Sequence, residues 1–67
     1  MPIINIHLKS GRSIEKKKRL VHEVTQAVCK ALETTPDHVR IILQEMTPED
    51  YAIGGVFQWL EEPAQKK

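Results

Sequence analysis

A strand–helix–strand α/β subunit is the fold class this sequence predicts, and three observations carry it. Ile4, Ile6 and Leu8 alternate with Asn5, His7 and Lys9, the period of two that a strand requires. Leu20, Val21, Val24, Ala27, Val28, Ala31 and Leu32 then recur at spacings of three and four, which places them on one face of a helix. Val39 to Met46 returns to a β-branched run, the composition of a second strand. A strand, a helix of about twenty residues and a strand make a βαβ unit, with parallel strands and a right-handed crossover.

Each element has local reasons. The first strand should run from about Ile3 to Leu8, and Ser10-Gly11-Arg12 turns the chain. Ser13 stands as N-cap, its hydroxyl able to accept from a free amide of the first turn. No capping box is expected, because Lys16 occupies the place of Glu or Gln. The helix should extend from Ile14 to about Glu33, with Lys16, Lys18, Glu23, Gln26 and Lys30 opposite the apolar stripe. At about 100° per residue, Cys29 falls roughly 140° from the stripe's centre and reads as a bystander. Thr34-Thr35-Pro36-Asp37 should end the helix, since proline disfavours helical conformation in the residue before it.

The second strand should place Val39, Ile41 and Leu43 on one face and Arg40, Ile42 and Gln44 on the other. Thr47-Pro48-Glu49-Asp50 is a turn or a short helical start, and Gly54-Gly55 permits a tight hairpin. Val56, Phe57, Trp59 and Leu60 follow with little chain left to cover them. They pack on the subunit's own helix or dock onto a neighbouring subunit. Residues 61–67 read as a frayed polar tail of a single domain spanning 1–67.

Composition narrows the function classes. A chain of 67 residues buries only about 60% of its unfolded surface, so a lone subunit is marginal. The single Cys29 rules out an internal disulfide framework and fits a cytoplasmic setting. Oligomerisation is then the expected source of stability. A net charge of +1 gives no nucleic-acid or membrane footprint, and no apolar run nears the roughly 20 residues of a membrane span.

Candidate chemistry emerges by elimination. His7, His22 and His38 lack metal-ligand spacing and fall on a strand, a helix and a loop. Lys16-Lys17-Lys18-Arg19 spreads around the helix axis and reads as a solvated face. The paired glycines lack the spacing of a phosphate loop. Pro2 stands out because a small penultimate residue normally permits removal of the initiator methionine. The chain would then begin with a secondary amine at the head of a rigid strand, a candidate acid–base group. Arg12 at the turn, Arg40 in an otherwise apolar strand and Tyr51 before the glycines also remain. Arg40 needs a counter-charge, which Glu45, Asp37 or a bound carboxylate could supply.

With these residues in place the sequence resembles the 4-oxalocrotonate (2-hydroxymuconate) tautomerase family. Pro2-Ile3-Ile4-Asn5-Ile6-His7, Gly11-Arg12-Ser13, Val39-Arg40-Ile41-Ile42, Glu45-Met46 and Tyr51-Ala52-Ile53-Gly54-Gly55 carry the resemblance. It implies a β-α-β subunit with a C-terminal hairpin that pairs into dimers, three of which form a homohexamer. It also implies an isomerase of aromatic-compound catabolism that requires no metal or cofactor and acts on small unsaturated oxo or hydroxy acids. Pro2 would shuttle a proton in enol–keto isomerisation of a 2-hydroxymuconate-like dicarboxylate. Arg12 would grip the distal carboxylate, and Arg40, from a neighbouring subunit, would bind the other end and stabilise enolate charge. Tyr51 stands where the family usually carries phenylalanine and would wall the site. An α-amino group titrates at about 8, and nearby arginines push it down, leaving much of it neutral at pH 7.

Three features depart from the family pattern: Lys9 at a usually apolar position beside the substrate, the Tyr51 hydroxyl, and the bulky Phe57 and Trp59. Related haloacrylate dehalogenases carry arginine at the Lys9 position and a water-activating glutamate where this chain has Ile53. Isomerisation is therefore expected over hydrolytic dehalogenation or hydration. The rival from another class is a non-catalytic interaction module that presents the Lys16–Arg19 cluster to an acidic partner.

Overall fold

The computed structural model describes residues 1–60. In it β1 (Ile3–Lys9) lies parallel to β2 (Arg40–Met46), and α1 (Ile14–Leu32) makes the crossover. Register runs from Ile3 opposite Arg40 to Lys9 opposite Met46. The expected βαβ unit is therefore present. Beyond it, β3 (Ala52–Ile53) and β4 (Val56–Phe57) form an antiparallel hairpin across Gly54 and Gly55. Those two glycines have φ of 61° and 84°, a conformation that costs an L side chain appreciably. The expected tail at 61–67 lies outside the described residues.

Strand alternation decides which side chains meet the helix. Ile4, Ile6, Leu8, Ile41 and Leu43 are half-buried, whereas Ile3, Asn5, His7, Lys9, Arg40, Ile42 and Gln44 are exposed. On this open face Ile3 and Ile42 keep 59% and 49% of their surface in water. Within a single subunit Arg40 is thus on the exposed face of its otherwise apolar strand. No described residue is fully buried. The apolar side chains of the hairpin, Ile53, Val56 and Phe57, are exposed too. The hydrophobic gain of such a subunit is largely unrealised until further apolar surface leaves water.

The helix begins and ends where expected, but its stop differs from the one the sequence suggests. Ser13 has extended backbone and its Oγ accepts from the amide of Lys16. At the other end Glu33 adopts a left-handed conformation with φ 56°, and the amide of Thr34 reaches back to the carbonyl of Cys29. The chain leaves the helix before the restriction imposed by Pro36 applies; Pro36–His38 is a separate one-turn 3₁₀ segment, and β2 starts at Arg40 rather than Val39. The covered face is rotated from the stripe that periodicity predicts. Lys17, Thr25 and Cys29 are half-buried, whereas Ala27, Ala31 and Leu32 are exposed. Two strands cover only part of a helix surface, and which part depends on packing that spacing does not encode. Lys17 also departs from the solvated reading of the basic run, because its Nζ donates to Glu45 Oε2 at 3.0 Å.

Candidate active site

The candidate residues gather at the two ends of the parallel pair. At the leading end, the amide of Arg40 donates to the carbonyl of Pro2 at 3.0 Å. That bond extends the ladder one step ahead of β1 and fixes Pro2 beside the first residue of β2. Both carboxylates that could have neutralised Arg40 are otherwise engaged. Glu45 faces α1 and holds Lys17, while Asp37 accepts from the Thr35 hydroxyl. Chiefly that hydrogen bond, with a backbone amide and His38 as lesser contributors, keeps the Asp37 carboxyl below its ordinary value. Among the described residues no carboxylate pairs with the Arg40 guanidinium.

At the trailing end, the amide of Ser10 donates to the carbonyl of Met46 at 2.9 Å and closes the sheet. Arg12 Nη1 donates to the carbonyl of Lys9 at 3.0 Å, so two cationic side chains leave one turn. Lys9 Nζ lies over the ring of Trp59, 5.3 Å from its centroid. The rings of Trp59 and Tyr51 are stacked with centroids 4.2 Å apart and planes inclined by 12°. Such a stack contributes about 0.5–1.5 kcal/mol beyond its area, and an exposed cation–π contact about 0.5–1 kcal/mol. Sequence reasoning assigned Trp59 to packing or docking and missed this link to Lys9 and Tyr51. The signal was present in the coincidence of three departures from the family pattern.

Tyr51 is presented by a capped turn. In the 3₁₀ segment Pro48–Asp50, the amide and hydroxyl of Thr47 both donate to Asp50 Oδ2, at 2.9 and 2.7 Å. The Thr47 hydroxyl accepts in return from the amide of Glu49. The Thr47 hydroxyl first, and its amide second, hold the Asp50 carboxyl below its ordinary value. The carbonyl of Tyr51 then accepts from the amide of Gln58, which extends the hairpin towards Trp59.

The two ends are far apart within one chain. At about 3.3 Å per residue, the seven residues of β1 separate Pro2 and Arg40 from Arg12 and Lys9 by roughly 20 Å. A shallow apolar groove of about 220 Å³, lined by Ile14, Lys17, Lys18, Val21 and Leu43, contains none of the candidates. It is a gap between helix and strand edge, away from the chemistry.

Fold and residues together define a class: a minimal β-α-β subunit with cationic residues at both ends of its parallel pair. The chain belongs to the tautomerase family, whose pattern, described as "Tautomerase enzyme", matches residues 2–60. It is 45% identical over 62 residues to a probable tautomerase of Lactiplantibacillus plantarum, covering 92% of this chain and 97% of that one. A structure from work on the 4-oxalocrotonate tautomerase isozymes of Methylibium petroleiphilum matches with a TM-score of 0.79 and 38% identity, covering 84% and 88% of the two chains. The heterohexamer 4-oxalocrotonate tautomerase of Chloroflexus aurantiacus matches with a TM-score of 0.78 and 32% identity, covering 85% and 92%. The family resemblance carried by the motifs is therefore borne out, as is the β-α-β fold with its hairpin.

Proposed function

We propose that this protein is a tautomerase that moves a proton between carbons of an unsaturated dicarboxylic enol, using the nitrogen of Pro2 once Met1 has been removed. The observation that carries this reading is the hydrogen bond from the Arg40 amide to the Pro2 carbonyl. It holds the future amine at the head of a strand, next to an arginine with no carboxylate partner among the described residues. Neutral, the amine accepts a proton from the substrate hydroxyl or carbon; protonated, it returns one elsewhere on the conjugated chain. In this reading Arg40 of the same chain as Pro2, in place of the neighbour's arginine that the resemblance implies, binds a carboxylate and meets the negative charge that develops on the 2-oxygen. Arg12 and Lys9 hold the distal carboxylate, with Tyr51 as an apolar wall.

The site is shared between subunits. A six-carbon dicarboxylate spans about 8 Å at ordinary bond lengths, far less than the separation of the two ends within one chain. A substrate that touches both Pro2 and Arg12 therefore needs the leading end of one subunit beside the trailing end of another. The exposed sheet face and hairpin support such an assembly, and the heterohexameric relative supports six chains as its size.

The test is a ketonisation assay on mature protein, on Pro2→Ala and on a form shown by intact mass to retain Met1. While Met1 is attached, the Pro2 nitrogen is an amide whose lone pair is delocalised. Both altered forms should lose at least about 100-fold in turnover while keeping their far-ultraviolet spectrum. Full activity with Met1 attached would remove Pro2 from the mechanism.

A further inference from the structure

Lys9, Tyr51 and Trp59 come from the end of β1, the entry to the hairpin and its exit, yet they form one cluster. The face of an indole ring attracts an ammonium and leaves its N–H donors available to an anion. Lysine's flexible four-carbon stem otherwise distributes that charge over many positions. The stack on Tyr51 fixes the indole plane in turn. Arg12, bonded to the carbonyl of Lys9, brings a second cation to the same turn.

We propose that Trp59 is a positioning residue that holds the Lys9 ammonium beside the Arg12 turn. It thereby selects substrates carrying a second anionic group remote from the reacting enol, unsaturated dicarboxylates over monocarboxylates of equal length. The proposal rests on the tautomerase reading for what reacts, but the anion site can be tested without turnover. A grip on the remote group is equal in ground and transition states, so it acts on KM and not on kcat.

Trp59 is the chain's single tryptophan, so its emission reports on the cluster directly. Adipate and hexanoate are titrated into the mature wild-type assembly and into Lys9→Met. Adipate should change the emission at concentrations where hexanoate does not, and Lys9→Met should abolish that difference. In steady-state assays Trp59→Leu should raise KM for a dicarboxylate dienol about three- to fivefold, leaving kcat and the monocarboxylate KM within about twofold. Trp59→Phe, which keeps an aromatic face, should fall between. An equal rise in both KM values or a fall in kcat alone would overturn the proposal. So would an emission response that is alike for the two acids or survives in Lys9→Met. If Trp59→Leu fails to fold, Trp59→Phe and Lys9→Met decide by the same outcomes. If the wild type turns over no dienol, the tautomerase reading fails, and the emission titration still decides whether the anion site exists.

Discussion

At the leading end of the sheet the main chain does the positioning, whereas at the trailing end side chains do. Pro2 is held by its own carbonyl through the amide of Arg40, so neither side chain is needed to keep the pair together. Lys9, Tyr51 and Trp59 are held by ring faces and an ammonium, and Arg12 by its guanidinium. On the proposed reading, the backbone-held half carries the proton chemistry and the half held by side chains sets the substrate. Of the departures from the family pattern, Lys9, Tyr51 and Trp59 meet at the trailing end.

The largest effects should come from the leading end and leave the fold intact. Arg40→Ala should lower kcat by about 100-fold or more, because it removes stabilisation of charge that develops in the transition state. Its thermal midpoint should stay close to that of the wild type, since the Arg40 amide still reaches Pro2. Arg12→Ala should instead raise KM for dicarboxylates by about tenfold with a modest change in kcat. Steady-state kinetics on the two variants would break the comparison if both parameters moved equally in each.

A smaller effect is expected from the turn that presents Tyr51. The Asp50 carboxyl is held below its ordinary value by Thr47, so its ionised form favours the folded turn. That contribution is complete above the ordinary aspartate value of about 4 and disappears as pH falls below it, through the lower folded value. Asp50→Asn should flatten this acid-side loss while lowering stability slightly near neutrality. Melting curves of the two proteins between acidic and neutral pH measure the difference. A parallel pH dependence would show that the ionised Asp50 carboxylate does not stabilise the folded turn.

Most of the fold was legible because it is periodic. Alternation of Ile4, Ile6 and Leu8, helical spacing from Leu20 to Val28, and the Gly54-Gly55 pair each report a local geometry that the structure adopts. The rotation of α1 was not legible, and Cys29 consequently turned out half-buried. It depends on which part of the helix two strands can cover. The place where the helix ends was legible, but its stop was not, since a left-handed Glu33 has no compositional mark. Of the candidate site, the residue types were readable but their grouping was not. Parallel register puts Arg40 beside Pro2 and leaves Arg12 at the opposite end, a consequence of topology. The Trp59 stack needs the hairpin to close before its partners come within reach.

The claim that the site is shared between subunits can be tested by mixing two impaired proteins. Pro2→Ala supplies an intact trailing end, and the double variant Arg12→Ala/Lys9→Met supplies an intact leading end. The two are unfolded together, refolded at equal concentration, and assayed at substrate levels well below KM against each protein refolded alone. With random assembly, about a quarter of sites combine a wild-type Pro2 from one subunit with a wild-type Arg12 from another, if each site draws its two ends from different chains. Recovery of activity towards that fraction is the predicted result. No recovery above the two separate baselines, with mixed assemblies confirmed by native mass, would mean that both ends act within one chain and would contradict the account.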